Sequence, residues 1–214
     1  MLEKILEKLN KEYELKKVED QRFSSFEMTG MDFETKGFYV KGLGHVGFMK
    51  ASGMGGAMKM ETLVIDPLEI DAPLLSLDRI VAGGKDMMIF ELYDTLLQKE
   101  IDTKSFEDIC SKYEGLSDMP MQSRWYDELQ LKGTLAKSVG LEESGKVDAL
   151  EDEYSDAFLK LLKTAVPCSK EEKKEKARAY SHRLIEEGGT STDNFIKNWG
   201  KDKTREFFDT ILFG

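Results

Sequence analysis

Apolar and polar positions recur in different ways along the chain, and each pattern predicts a different element. At the start, Leu2, Ile5, Leu6 and Leu9 fall on one helical face, with Tyr13 a turn further on, the stripe of a helix laid over a core. From Arg22 to Ala57 the text becomes strand-like, RFSSFEM then KGFYVKGLGHVGFMKASG, punctuated by glycines at 42, 44, 47 and 53 that leave room for close backbone approach. Met58 to Leu97 then holds three apolar runs, MKMETLVI, PLLSLDRIVA and MMIFELYD, bounded by DPLEIDA and GGKD. Short runs rich in branched and aromatic residues between such breakers are strands. Gly83-Gly84 supplies the positive-φ residues of a tight reversal, so the last two runs form a predicted hairpin. Alternation is weak, as in strands covered on both faces. About five or six strands joined by short turns make an antiparallel meander.

Helical spacing returns afterwards. Phe106, Ile109, Cys110 and Tyr113 make one apolar face after Ser105, a candidate N-cap. EGLSDMPMQSRW reads as a loop leading into a helical stretch around Trp125, Leu129 and Leu135. GLEESGKVDALEDE reads as an acidic, solvated segment. Phe158, Leu159, Leu161 and Leu162 mark a helix stopped by Pro167, and Ser169-x-x-Glu172 is a capping-box pattern opening the next. After GGTSTDN, the positions Ile196, Trp199, Phe207, Phe208 and Ile211 close the chain with helix. The order helix, antiparallel sheet, helices predicts an α+β fold: one domain over residues 1–214, a three-layer α/β/α sandwich around a central antiparallel sheet.

Composition narrows the function classes. With 214 residues and 40% hydrophobic content, the chain has enough apolar material for a substantial core. No stretch reaches the roughly 20 apolar residues of a membrane span. MLEKILEKLNKEYEL lacks the segments of a signal peptide, and two isolated cysteines suit a reducing cytoplasm, which is the expected location. A net charge of −10 argues against nucleic acid and against an anionic membrane as partner. His45 and His182 are the only histidines, too few for a histidine metal centre, and no metal is expected.

Chemistry is sought where polar residues interrupt the core strands: Glu61, Thr62, Asp78, Arg79 and Glu91. A buried carboxylate needs a partner, a pocket or a raised pKa. Asp78 is the candidate acid; the bland alternative is an ion pair with a nearby Lys or Arg. On an alternating strand Asp78 shares a face with Ser76 and Ile80, while Leu77 and Arg79 point the other way. Met49, Met54, Met58, Met60, Met87 and Met88 offer either a soft lining for a flat ligand or ordinary core packing. Cys110 reads as a small core residue. His45 is either a second proton donor facing a pocket or an ordinary surface or core histidine. Lys170, Lys173, Lys174, Lys176 and Arg178 form the one basic concentration, read first as a solvated helix face.

Three stretches together resemble the ferredoxin-dependent bilin reductases, the family that includes phycocyanobilin:ferredoxin oxidoreductase. Pro73-Leu74-Leu75-Ser76-Leu77-Asp78-Arg79-Ile80-Val81-Ala82-Gly83 is similar to the family's apolar run with its strand aspartate. Pro167-Cys168-Ser169 opens a charged helix carrying Arg178 and Tyr180. Trp199-Gly200, Phe207-Phe208 and Ile211-Leu212-Phe213 match the family's aromatic-Gly helix and ending. The resemblance, spanning Gly37 to Phe213, implies a flat pocket between sheet and C-terminal helices. It also implies reduction of linear tetrapyrroles such as biliverdin by electrons from reduced ferredoxin, flavodoxin or another one-electron donor, with no cofactor bound by the protein. Asp78 falls on the aspartate that acts in substrate protonation.

The chain also departs from that family. Thr62 stands at the strand position of a histidine or asparagine, with Glu61 adjacent if the register slips by one. Lys50 stands roughly at a strand glutamate. Gly188-Gly189-Thr190-Ser191 replaces an Asn-Asp-Lys-Thr segment. A cation for a ligand carboxylate is then Lys50 or Lys137, the latter at about the family's arginine distance after Trp125. Met60, Glu61, Thr62 and His45 complete the candidate ligand-binding set. Ferredoxins are acidic, so the basic residues 170–178 are the candidate docking patch. Two functions follow: a bilin reductase with Asp78 as proton donor, or a tetrapyrrole-binding protein without chemistry on the same fold.

Overall fold

The computed structural model describes residues 1–98 and 100–214. Helix α1 (Glu3–Glu12) leads into β1 (Leu15–Lys17), β2 (Ser25–Met28), β3 (Met31–Val40), β4 (Gly44–Gly53), β5 (Met58–Pro67), β6 (Leu74–Ala82) and β7 (Lys85–Tyr93). Then come α2 (Lys104–Lys112), β8 (Leu135–Gly140), α3 (Ser144–Thr164), α4 (Lys170–Glu187) and α5 (Thr192–Phe207). The strands make one antiparallel sheet in the order β1-β3-β4-β5-β6-β7-β8, with β2 also paired to β3. The β6–β7 hairpin turns on Gly83 and Gly84, at φ +58° and +77°, the left-handed pair that matches strand twist.

Side-chain alternation splits the core into two layers, making the α/β/α sandwich. On one face Val46, Phe48, Leu63, Leu77 and Phe90 meet α1, α2 and α3 through Ile5, Leu9, Phe106, Leu150 and Tyr154. On the other, Phe33, Met49, Val64, Leu74 and Tyr93 meet α4, α5 and the C-terminal turn through Tyr180, Leu184, Phe207, Ile211 and Leu212. Full burial of each such side chain contributes about 1.5–3 kcal/mol, so either layer alone would leave half the sheet exposed.

Two local features set the shape of the second layer. A Cβ on Gly47 would lie 2.5 Å from the Leu212 Cα, so only glycine lets the wide π-type turn Phe208–Leu212 rest directly on β4. Helix α5 is broken at Gly200, at φ +78°, which folds Trp199 and Phe207 onto Phe23 at ring separations of 5.7 and 5.3 Å.

Three expectations need correction. Leu135 opens strand β8 rather than extending a helix, and only Trp125–Leu129 is helical, as a short 3₁₀ segment. The acidic stretch 140–153 includes the start of α3, where Val147, Leu150, Glu151 and Tyr154 are buried on one face. Helix α2 begins at Lys104, so Ser105 lies inside it instead of capping it. The capping pattern at Ser169 is realised: its hydroxyl accepts the Glu172 amide at 3.4 Å.

Candidate functional site

Between the middle of the sheet and the α4/α5 layer lies a cavity of about 420 Å³, within the range of small-molecule sites. Its floor is made by same-face residues of β5, β6 and β7, among them Met60, Thr62, Asp78, Ile89 and Glu91. The roof is Tyr180, Leu184, Phe195, Phe208 and Leu212. The rim is the loop carrying Gln122 and Arg124, facing Gly189, Thr190 and Ser191.

The floor is apolar except at its centre. The register opposes Thr62 to Asp78, and the Thr62 hydroxyl donates to Asp78 Oδ1 at 2.5 Å. Burial pushes the Asp78 carboxyl above its ordinary range, and that hydrogen bond only partly offsets the shift. Asp78 has no ion-pair partner among the described residues, and the part of it left accessible lines the cavity. Two residues along β7 from the Asp78 partner Ile89, Glu91 projects to the same face. Its carboxyl is pushed up to about 7, by burial first and the Asp78 charge second, although Gln130 Nε2 donates to it at 3.1 Å. Tyr93 and Tyr180, with rings 4.5 Å apart, are raised by burial and stay neutral phenols.

At the rim, Arg124 contributes the cavity's cation. Its nearest acid is Asp193, at 3.8 Å, and its buried Nε has no hydrogen-bond partner. The neighbouring Trp125 indole donates to the Gly188 carbonyl at 2.8 Å and lies under the Arg183 guanidinium at 4.2 Å, while the Tyr126 hydroxyl meets Thr190 Oγ1 at 3.3 Å. The glycine-rich 188–191 segment is thereby pinned over the opening.

The structure brings Met60, Thr62 and Asp78 together and separates them from the other candidates. Register settles the Glu61/Thr62 choice: Glu61 points to the α1 face, where it accepts the Leu2 amide at 2.7 Å. Lys50 lies on that same face, paired with Glu3 at 3.0 Å. Lys137 also leaves the cavity face; its ammonium bonds Asp118 at 2.6 Å and the Leu116 carbonyl at 3.2 Å, in a cleft at the sheet edge. His45 is roofed by the C-terminal turn, its Nε2 2.8 Å from the Ile211 carbonyl, and burial lowers it to about 4. It is a neutral core histidine outside the cavity. Of the six methionines, Met49 and Met60 line the cavity; Met119 and Met121 from the rim loop join them, while Met54 is 78% exposed and Met88 packs in the opposite layer.

The basic run is also less free than its composition suggests. Lys173 is completely buried, donating to the Ala72 and Thr95 carbonyls at 2.7 Å and to Asp71 at 3.2 Å. Lys170 pairs with Glu69 at 2.7 Å, and Lys176 bonds the Leu96 carbonyl. Lys174 and Arg178 have no ion-pair partner within 4.0 Å among the described residues. No helix in the described residues is long and apolar enough to cross a membrane.

Arg124 sits in a loop with no periodicity to place it, and its one sequence signal is adjacency to Trp125. Glu91 had been visible as a polar interruption of a core strand, without a role.

No family model matches the chain, and no curated protein matches it. The sheet and its helical layers are those of the bilin-reductase fold. One solved structure with this likeness is phytochromobilin synthase from tomato in complex with biliverdin, with a TM-score of 0.75 and 13% sequence identity, covering 96% of this chain and 79% of that one. At that identity the shared property is the fold.

Proposed function

We propose that this chain is a divergent bilin reductase that holds a linear tetrapyrrole, or a similarly flat conjugated ligand, between the sheet and α4/α5. Asp78 protonates the ligand as electrons arrive from a one-electron donor such as reduced ferredoxin or flavodoxin. Reducing one double bond consumes two electrons, delivered singly, and two protons, so the protein's task is to grip the ligand, exclude water and hold a proton in place. The observation that carries this reading is the Asp78 carboxyl: desolvated, raised in pKa, bonded by one hydroxyl and open to the cavity. A carboxylic acid whose pKa is raised toward the working pH is the better general acid. Arg124, with its unpartnered Nε at the rim, suits a ligand carboxylate better than Lys50 or Lys137, because a guanidinium binds carboxylate through two parallel bonds.

Titration with biliverdin, followed by visible absorption, tests the grip; reduction in the presence of ferredoxin and its reductase tests the chemistry. Asp78→Asn is expected to retain affinity and lose turnover by about 10²–10⁴-fold. Unchanged turnover in that variant would remove Asp78 from the mechanism. Two observations favour a second reading, a tetrapyrrole-binding protein without chemistry: the small neutral 188–191 segment at the rim and the inward engagement of the α4 lysines. A spectral shift with no bilin reduced identifies that case, and no shift at all discards both.

A further inference from the structure

The cleft at the sheet edge, about 540 Å³, is not a separate feature of the surface. It shares a wall with the ligand cavity, and Ile89, Glu91 and Tyr126 line both spaces. Asp78 lines only the inner one. Beyond the shared wall the cleft runs outward past Gln130 and Ser123 to Glu114 and Asp118, both exposed on the surface. Glu91 is therefore the ionisable residue of the floor that touches the cavity on one side and an acidic, solvent-entered passage on the other.

Its position relative to Asp78 follows from the pairing of β6 with β7. Ser76 opposes Glu91 and Asp78 opposes Ile89, so the two carboxyls are diagonal neighbours on one face. Such neighbours have Cβ atoms roughly 7–8 Å apart, within reach of two flexible acids directly or through one water. Gln130 fixes one Glu91 oxygen by donating to Oε1, and the Tyr93 hydroxyl, on the same face of the same strand, also bonds the carboxyl.

We infer that Glu91 is a proton-relay residue, linking Asp78 to solvent through the sheet-edge cleft, so that the site holds two acids in series. In each cycle the O–H bond of Glu91 breaks as one forms on the Asp78 carboxylate, and Glu91 recovers a proton from water entering the cleft. The transfer is neutral overall and needs no reductant of its own.

The inference rests on the proposed reduction for its purpose, but its physical core, coupling between the two carboxyls, exists in the ligand-free protein. Two like charges this close in an apolar site resist ionising together, and they titrate as a pair. The other ionisable groups facing Glu91 are Tyr93 on its own strand, Tyr180 from α4 and Asp127 from the 3₁₀ segment, with Lys137 further out in the cleft. The two buried phenols stay neutral over the range in question.

Glu91→Gln keeps shape and removes the charge. In the ligand-free protein, carboxyl ¹³C NMR should show the Asp78 midpoint falling when Glu91 is replaced. A midpoint that does not move overturns the relay whatever the ligand proves to be. With biliverdin and reduced ferredoxin, E91Q should lose at least about tenfold in kcat with little change in KM, and the fall in rate with rising pH should shift. A kcat and pH profile equal to the parent's also overturns it. Failure of the parent protein to bind or reduce any bilin instead refutes the proposed function and leaves the NMR result to decide the coupling.

Discussion

Asp78 and Arg79 are consecutive residues on one strand, both drawn from water, and the two faces of the sheet answer them in opposite ways. Arg79 turns to the α3 face, where Asp86 contacts it at 2.7 and 3.0 Å, Asp148 at 2.7 Å and Glu151 at 2.8 Å. That cation is surrounded by acids and closed over by packing. Asp78 turns to the α4/α5 face and receives one hydroxyl, with a second acid nearby and empty space in front. A closed network settles a charge; a cavity beside an under-compensated acid leaves a proton to move. The difference between the faces, more than either residue alone, distinguishes the closed layer from the one that holds the cavity.

Breaking the closed side should have the largest effect. Arg79→Met removes the cation and strands Asp86 and Glu151, each only 1% exposed, against apolar strands. Loss of one partner from a buried ionic network costs about 3–5 kcal/mol, a large share of the stability of an ordinary domain. The midpoint of urea unfolding should drop accordingly, and bilin binding should fail only as far as the fold does. A loss of less than about 1 kcal/mol would mean that the Arg79 cluster is not the closed counterpart described here.

The open side should respond with the opposite sign. The Glu91 carboxyl has an ordinary value of 4.5 when unfolded and about 7 in the folded chain. The folded state therefore binds the extra proton between those values, and its stability falls as pH rises through that window and stays lowered above about 7. Glu91→Gln should be more stable than the parent at pH 8, by up to about 3 kcal/mol. The gap should close as pH falls through 7 toward 4.5. Asp66, also raised to about 7 by burial, titrates identically in both proteins and cancels from the difference. Thermal unfolding across pH 4–8 measures the gap; a gap independent of pH would show that Glu91 is not held protonated. Removing an acid that serves chemistry commonly raises stability at the cost of function.

How far this contrast could be read from the chain depends on what fixes each residue. The β6–β7 hairpin was legible because Gly83-Gly84 and the flanking apolar runs act locally. Alternation along β6 also separated Asp78 from Arg79 before any fold was known. Which face had the cavity was not legible from alternation; the family resemblance placed it between the sheet and the C-terminal helices, where the structure has it. Strand β8 was missed because LAKSVG has little alternation of its own and gains its pairing from β7. The buried start of α3 was missed because acids dominate its composition, although Val147, Leu150 and Tyr154 keep helical spacing. Lys50 and Glu61 were placed at the site by approximate position; a strand reverses its face at every residue, so a slip of one sends a side chain into the other layer.

Arg124 gives the smallest predicted effect and the finest test of the comparison. On the closed side a guanidinium has three carboxylates; at the rim of the open side Arg124 has one, at 3.8 Å, and a buried Nε with none. Its unpartnered Nε lies at the rim of the same cavity whose floor holds the two raised carboxyls. A ligand with a flat conjugated body and a carboxylate arm would match both at once. A charge-assisted hydrogen bond contributes about 1.5–3 kcal/mol, reduced here because the side chain is 28% exposed and partly screened. Arg124→Gln should therefore weaken biliverdin binding about 3- to 10-fold and leave the affinity for its dimethyl ester unchanged. Equal losses for the acid and the ester would show that the Arg124 side chain supports the loop, through its contact with Asp193 at 3.8 Å, without reading the ligand's charge.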